Sequence, residues 1–127
     1  MKLLNQPGML GVVVGLAASH AVGAPVDGQV LGAGAPIANA TVTLWQASSG
    51  APRQLAQARS GADGSFALAA PDAPLAEGSL YLVAKGGTPA AGQGSGDNPA
   101  IALLTVLGAK APSRVTVNEM TTVASVW

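Results

Sequence analysis

The sequence predicts an all-β fold, an antiparallel seven-stranded β-sandwich, and three observations carry that expectation. Beyond residue 25, clusters of Gly, Pro, Ala, Ser and Asn punctuate short runs rich in Val, Leu and Thr. Several of those runs alternate apolar and polar residues with a period of two. Cysteine is absent, so one apolar core has to hold the domain without disulfides.

The first strand is expected over residues 26–31, followed by a Gly/Pro turn at 32–36. The clearest strand covers 40–45. Ala40, Val42 and Leu44 share one face there, and Thr41, Thr43 and Trp45 share the other. A loop at 48–52 leads to a polar strand over 53–59 with Leu55 as its apolar member. Ala62-Asp63-Gly64-Ser65 reads as a tight hairpin turn, because Asp-Gly supplies the positive φ such turns need. Phe66 and Leu68 share a face of the next strand. After a loop at 71–78, residues 80–84 are apolar on both faces, as a central buried strand is. Residues 86–100 are rich in Gly, Pro and Ser and read as a long mobile surface loop. Residues 101–107 form another apolar strand, and Val115 and Val117 flank Thr116 in the last one. Val42, Leu44, Phe66, Leu68, Leu82 and Leu103 are the expected core.

Both ends depart from this pattern. Lys2, an apolar run over 9–18 and the small residues Ser19 to Ala24 have the order of a secretory signal peptide. The apolar run is far shorter than the roughly 20 residues a bilayer core needs. The membrane is therefore met only through the export signal, and the mature domain is expected outside the cytoplasm: extracellular, periplasmic or at the cell surface. Cleavage after Ala21 leaves Ser19 and Ala21 at the small-residue positions. Cleavage after Gly23 or Ala24 is the alternative. At the other end Met120, Val123, Ala124 and Trp127 recur at helical spacing, with Asn118 as N-cap and Glu119 in the first turn. So short a helix is marginal alone, so residues from about 119 are expected to be frayed, or to dock on something outside the sandwich. The chain thus divides into a signal peptide (1–24), a sandwich (25–118) and the start of a helix or linker to a further domain (119–127).

Four stretches together carry a family resemblance. They are Val26-Asp27-Gly28-Gln29-Val30, Pro36-Ile37-Ala38-Asn39-Ala40-Thr41-Val42-Thr43-Leu44, Ala62-Asp63-Gly64-Ser65-Phe66-Ala67-Leu68 and Tyr81-Leu82-Val83-Ala84-Lys85-Gly86-Gly87. In order and spacing they resemble the carboxypeptidase regulatory-like domain over roughly residues 26–88. The resemblance implies a prealbumin-like (Ig-like) sandwich, and a non-catalytic module beside peptidases, outer-membrane receptors or surface proteins. Residues 117–124 also resemble a linker that joins such modules to later domains in exported bacterial proteins. The implied partners are other domains of a longer surface protein, or cell-envelope components. The related Cna B-type domains carry a Lys–Asn isopeptide bond that needs a lysine on the first strand. Residues 26–31 contain none, and Lys85 and Lys110 are the only lysines further on.

The remaining chemistry is sparse. The sole histidine, His20, lies in the leader, so the mature domain lacks the commonest general base and metal ligand. Its serines have no imidazole to activate them. Asp63 has no neighbouring oxygen ligands at calcium-loop spacing. Residues 92–97 lack the Lys-Ser/Thr ending of a phosphate loop. Formal charge is zero and the basic residues are scattered, which excludes a nucleic-acid surface. No catalytic, cofactor or metal site is expected. Trp45 is the exception to this blandness: it lies off the apolar face of its strand. With Tyr81 it is a candidate platform for stacking a sugar ring.

Overall fold

A computed structural model describes residues 23–90 and 96–125. Nine strands and one helix follow in order: β1 (Gly23–Gly32), β2 (Ala35–Ala38), β3 (Thr41–Ala47), β4 (Arg53–Arg59), β5 (Ser65–Pro71), β6 (Ser79–Lys85), β7 (Thr88–Pro89), β8 (Ala102–Gly108), β9 (Arg114–Val117) and α1 (Glu119–Ala124). One sheet has four antiparallel strands in the order β4-β3-β6-β8. The other has five: β5 and β2 pair with β1, β7 pairs with β2, and β9 also pairs with β1. Their inner faces meet in one apolar core, as a sandwich requires. No described helix is long and apolar enough to cross a membrane.

Several expectations need correction. There are nine strands, not seven. The additional two, β2 and β7, are short and contain proline, so they have no alternating signature. They exist because β2 folds back on the end of β1 and β7 joins its far edge. Nor is the pairing antiparallel throughout, since β9 runs parallel to β1, with Asp27 beside Arg114 and Val30 beside Val117. Gly64 has the expected positive φ of 80°, but the turn is not a hairpin. It is a corner that carries the chain from β4 in one sheet to β5 in the other. The 86–100 loop contains β7, and Asp97 and Asn98 pin it back on Gly87: Asp97 Oδ1 accepts from Gly87 N–H at 2.8 Å and Asn98 N–H donates to Gly87 C=O at 2.7 Å. The expected signal peptide lies, as far as residue 22, outside the described residues. Gly23 and Ala24 already belong to β1, opposite Pro71 and Ala70.

The inner face follows the alternation. Val42 and Leu44 of β3, and Leu80, Leu82 and Ala84 of β6, are fully buried. Phe66, Leu68 and Ala70 of β5 oppose them with Val26 and Val30 of β1. Leu103, expected in the core, is only partly buried against it. Its neighbour two positions on, Thr105, is the buried residue of β8.

One close approach organises the β1–β5 pair. Gly28 is in phase with Val26 and Val30 and sits opposite Phe66. A Cβ on Gly28 would collide with the Phe66 ring, 2.7 Å from Cε1, and with the Val115 carbonyl oxygen at 2.7 Å. The missing side chain makes room for the phenyl ring, so glycine and phenylalanine fill the space that two medium side chains would fill elsewhere.

Urea denaturation tests this packing. Phe66→Ala should cost about 3–5 kcal/mol through the cavity it leaves. Gly28→Ala should cost about 1–3 kcal/mol by overpacking. Because both act on one space, the double variant should lose less than the sum. A Phe66→Ala loss below about 1 kcal/mol would place the ring outside the core.

Candidate functional site

The two residues singled out as a stacking platform come together. Trp45 on β3 and Tyr81 on β6 are opposite one another in the ladder, both partly buried. They point away from the core, because Leu44 and Leu82, one step along, are fully buried. The row continues to Gln54 on β4 and to Val106 on β8, which is 51% exposed. The next row holds Gln57, Thr43, Val83 and Leu104, with Gln57 Nε2 donating to Thr43 Oγ1 at 3.1 Å. Among the described residues, neither the Trp45 indole N–H nor the Tyr81 hydroxyl has a hydrogen-bond partner. The face is uncharged at its aromatic end, where Gln54 and Gln57 of β4 border it.

A concavity lies on the other sheet. Asp27, Gln29, Ser65, Arg114 and Thr116 line a depression of about 430 Å3 over Gly28. Sequence reading missed it, because Arg114 reaches Asp27 only through the parallel β1–β9 pairing. Gln29 is already committed, its amide donating to the Asp63 carbonyl at 2.9 Å. A second hollow, of about 320 Å3, opens between the sheets beside Ile37, Ile101 and Leu103, with Glu119 at its rim.

The buried polar groups act as joints. Ser60 is 4% exposed; its hydroxyl donates to the Ile37 carbonyl at 2.7 Å and accepts from Ala40 N–H at 2.9 Å. It thereby braces the β2–β3 corner, where Asn39 adopts a φ of 64°. Thr105 Oγ1 lies 3.0 Å from the Thr116 carbonyl and 2.8 Å from Thr121 Oγ1. With one proton to give, it bonds β8 to β9 through the Thr116 carbonyl or to α1 through Thr121. Both side chains look unremarkable in the sequence; only the strand pairing reveals their partners.

α1 docks on the sandwich itself, whereas its length led to the expectation of a frayed segment or of docking outside the sandwich. Met120 and Val123 are 75% and 56% exposed, whereas Thr121, Thr122 and Ser125 face β8. Thr122 Oγ1 accepts from Leu104 N–H at 2.9 Å and Ser125 Oγ accepts from Val106 N–H at 3.2 Å. Thr121 Oγ1, with one proton, donates to either the Leu104 or the Asn118 carbonyl. Asn118 caps the helix, its side chain accepting from Thr121 N–H at 2.9 Å. The helix docks through hydroxyls on an open strand edge rather than through its apolar stripe. Trp127, the last member of that stripe, lies outside the described residues.

The carboxylates also serve local structure. Asp63 accepts from the hydroxyl of Ser65 at 2.6 Å and from its N–H at 3.0 Å, and these bonds hold its pKa below the usual carboxylate range. Glu119 Oε2 accepts from Ala33 N–H at 2.7 Å, which lowers its pKa. That bond ties α1 to the β1–β2 turn, where Ala33 takes a left-handed φ of 54°. No three Asp, Glu, His or Cys residues gather at metal-binding distance among the described residues.

No family model matches the chain, and no curated protein matches it. Among solved structures it is similar to a 9R-lipoxygenase from Cyanothece PCC8801, with 14% identity and a TM-score of 0.48 over 76% of this chain. The chain matches only 16% of the length of that protein. A likeness this distant has no bearing on function.

Two outcomes test the joints. Ser60→Ala leaves a buried N–H and C=O without their partner and should cost about 1–3 kcal/mol in urea denaturation; a neutral result would remove Ser60 from the fold's supports. Glu119 has a lowered folded pKa, so its contribution is present above the unfolded value and lost as pH falls through the folded one. The Ala33 amide should therefore lose hydrogen-exchange protection at a midpoint below the ordinary glutamate value of about 4.3. Protection independent of pH would mean that the turn holds without the carboxylate.

Proposed function

We propose that this chain is an exported, non-catalytic β-sandwich module that acts as a structural spacer or interaction domain at the cell surface. The observation that carries this reading is the employment of the buried polar side chains. Ser60, Thr43 and Thr105 all bond to groups that hold strands or the helix together. None converges with a second chemical group on a concave site. The stretches that resemble the carboxypeptidase regulatory-like domain fall on β1, on β2 and β3, on β5 and on β6. They therefore belong to the frame of the sandwich, which suits a scaffold role. Its partners on this reading are neighbouring domains or cell-envelope components.

Export fits the start of β1. Cleavage after Ala21 keeps every β1–β5 pair, whereas cleavage after Ala24 removes Gly23 and Ala24 opposite Pro71 and Ala70. A second reading, carbohydrate binding, is favoured by the adjacency of Trp45 and Tyr81 on an outward face. An indole and a phenol side by side offer stacking area to the C–H face of a pyranose.

Two measurements separate these readings. N-terminal sequencing of protein from the extracytoplasmic fraction should give a mature start at Val22; intact Met1 on cytoplasmic protein would end the export reading. Titration with soluble polysaccharides should leave tryptophan fluorescence, from Trp45 and Trp127 together, unchanged if the module is only a spacer. Saturable quenching that is lost in Trp45→Ala, with stability retained, would establish the carbohydrate reading instead.

A further inference from the structure

We propose that β5 is a self-pairing edge through which two copies of this chain join their five-stranded sheets. The proposal is independent of export and of the spacer role. The alternation of the β1–β5 ladder decides which backbone groups β5 leaves open. Val30 N–H donates to the Gly64 carbonyl at 2.8 Å. Bonded pairs recur every second residue in an antiparallel ladder, so they fall at Gly28 with Phe66, Val26 with Leu68 and Ala24 with Ala70. The N–H and C=O groups of Phe66, Leu68 and Ala70 face β1. Those of Ser65, Ala67 and Ala69 face away.

Ser65 is already satisfied. Its N–H donates to Asp63 Oδ1 at 3.0 Å and its carbonyl accepts from Gly61 N–H at 2.8 Å. Ala67 and Ala69 are exposed, and their outward groups have no partner among the described residues. Four backbone groups therefore stand open in a row.

The other edge strands are guarded by devices that prevent strand addition. α1 lies along β8 and bonds to Leu104 and Val106. The outward Thr116 carbonyl of β9 meets the Thr105 hydroxyl. β7 is two residues long and contains Pro89. β4 carries Arg53 and Arg59 at its ends and a register shift opposite Leu44 and Trp45. β5 has no charge and no register shift along its ladder, and its outward side chains are only Ser65, Ala67 and Ala69.

The occupant that fits is a second copy, because the open groups are self-complementary. Set Leu68 antiparallel to Leu68 of the second copy. Ala67 then faces Ala69 of that copy, and Ala69 faces its Ala67. Both are bonded pairs, so all four open groups of each copy are used. At each end Ser65, already satisfied, falls opposite Pro71, which has no N–H to orphan. Other self-pairing registers leave some of the four groups open. The inner faces meet at Leu68 and continue the core line, as in an isologous interface. Asp63 of one copy approaches Asp72 of the other, where the Lys110 ammonium, bound to the Asp72 carbonyl, offsets the two carboxylates. Four bonds with little side-chain area make it an association of concentrated protein.

Sedimentation equilibrium of the purified chain, from roughly 10 μM to 1 mM, tests this. The chain should show reversible dimerisation. Ala67→Pro deletes one outward N–H without touching the β1 ladder, and proline is tolerated on an edge strand. It should weaken the association at least about tenfold. A chain that stays monomeric throughout, or an Ala67→Pro variant that dimerises like the parent, would overturn the proposal. Residue-resolved hydrogen exchange on the unmodified chain gives a second readout that does not depend on the variant folding. Protection at the Ala67 and Ala69 amides should rise with concentration while Leu68 stays protected throughout. Fast exchange at Ala67 and Ala69 at every concentration would refute self-pairing.

Discussion

An open sandwich has edge strands, and each edge presents backbone N–H and C=O groups that must be bonded, hidden or guarded. That constraint accounts for much of this chain outside its core. Thr121, Thr122 and Ser125 put hydroxyls where a further strand would have put amides and carbonyls, so a six-residue helix substitutes for a neighbour of β8. Thr105 satisfies an outward carbonyl of β9. The same interactions hold α1 in place although its apolar side faces solvent. Removing the hydroxyls would leave the outward Leu104 and Val106 amides without partners and α1 tied to the sheet through Glu119 and Ala33.

Between the sheets the means are different. With no cysteine, the two layers are held by side-chain packing, and a small domain has little margin for voids. Gly28 and Phe66 solve one local problem of volume, and Leu44 and Leu82 pair across the centre of the four-stranded sheet. Ser60 and Thr105 are the polar exceptions within this seam. Each has its hydrogen-bonding capacity met, which is the condition for burying a hydroxyl without a large penalty.

The legible part of the sequence was the alternation. It located every strand but β2 and β7, the inward Val42, Leu44, Phe66, Leu68 and Leu82, and the outward Trp45. Other features were illegible for physical reasons. β2 and β7 draw their identity from their partners rather than from their own composition. The Asp63-Gly64 turn has hairpin chemistry, but whether flanking strands pair or separate depends on sheet assembly, which is long-range. The helix was legible in its period and its Asn118 cap, yet its orientation was not. Periodicity counts apolar residues, and the docking was decided by hydroxyls finding unpaired backbone. The Trp45–Tyr81 adjacency required the β3–β6 register, which no local pattern supplies. The depression at Asp27 and Arg114 required a parallel pairing that the antiparallel expectation had no place for.

If edge protection governs this fold, the amides of the guarded edge must behave as interior amides. Residue-resolved hydrogen exchange in dilute solution measures this directly. Leu104 and Val106 donate only to α1 hydroxyls, so they should exchange slowly, and fast once Thr122 and Ser125 are replaced by alanine. Equally fast exchange at Leu104 and Val106 in the unaltered chain would mean that the helix does not close the edge, and would contradict the account.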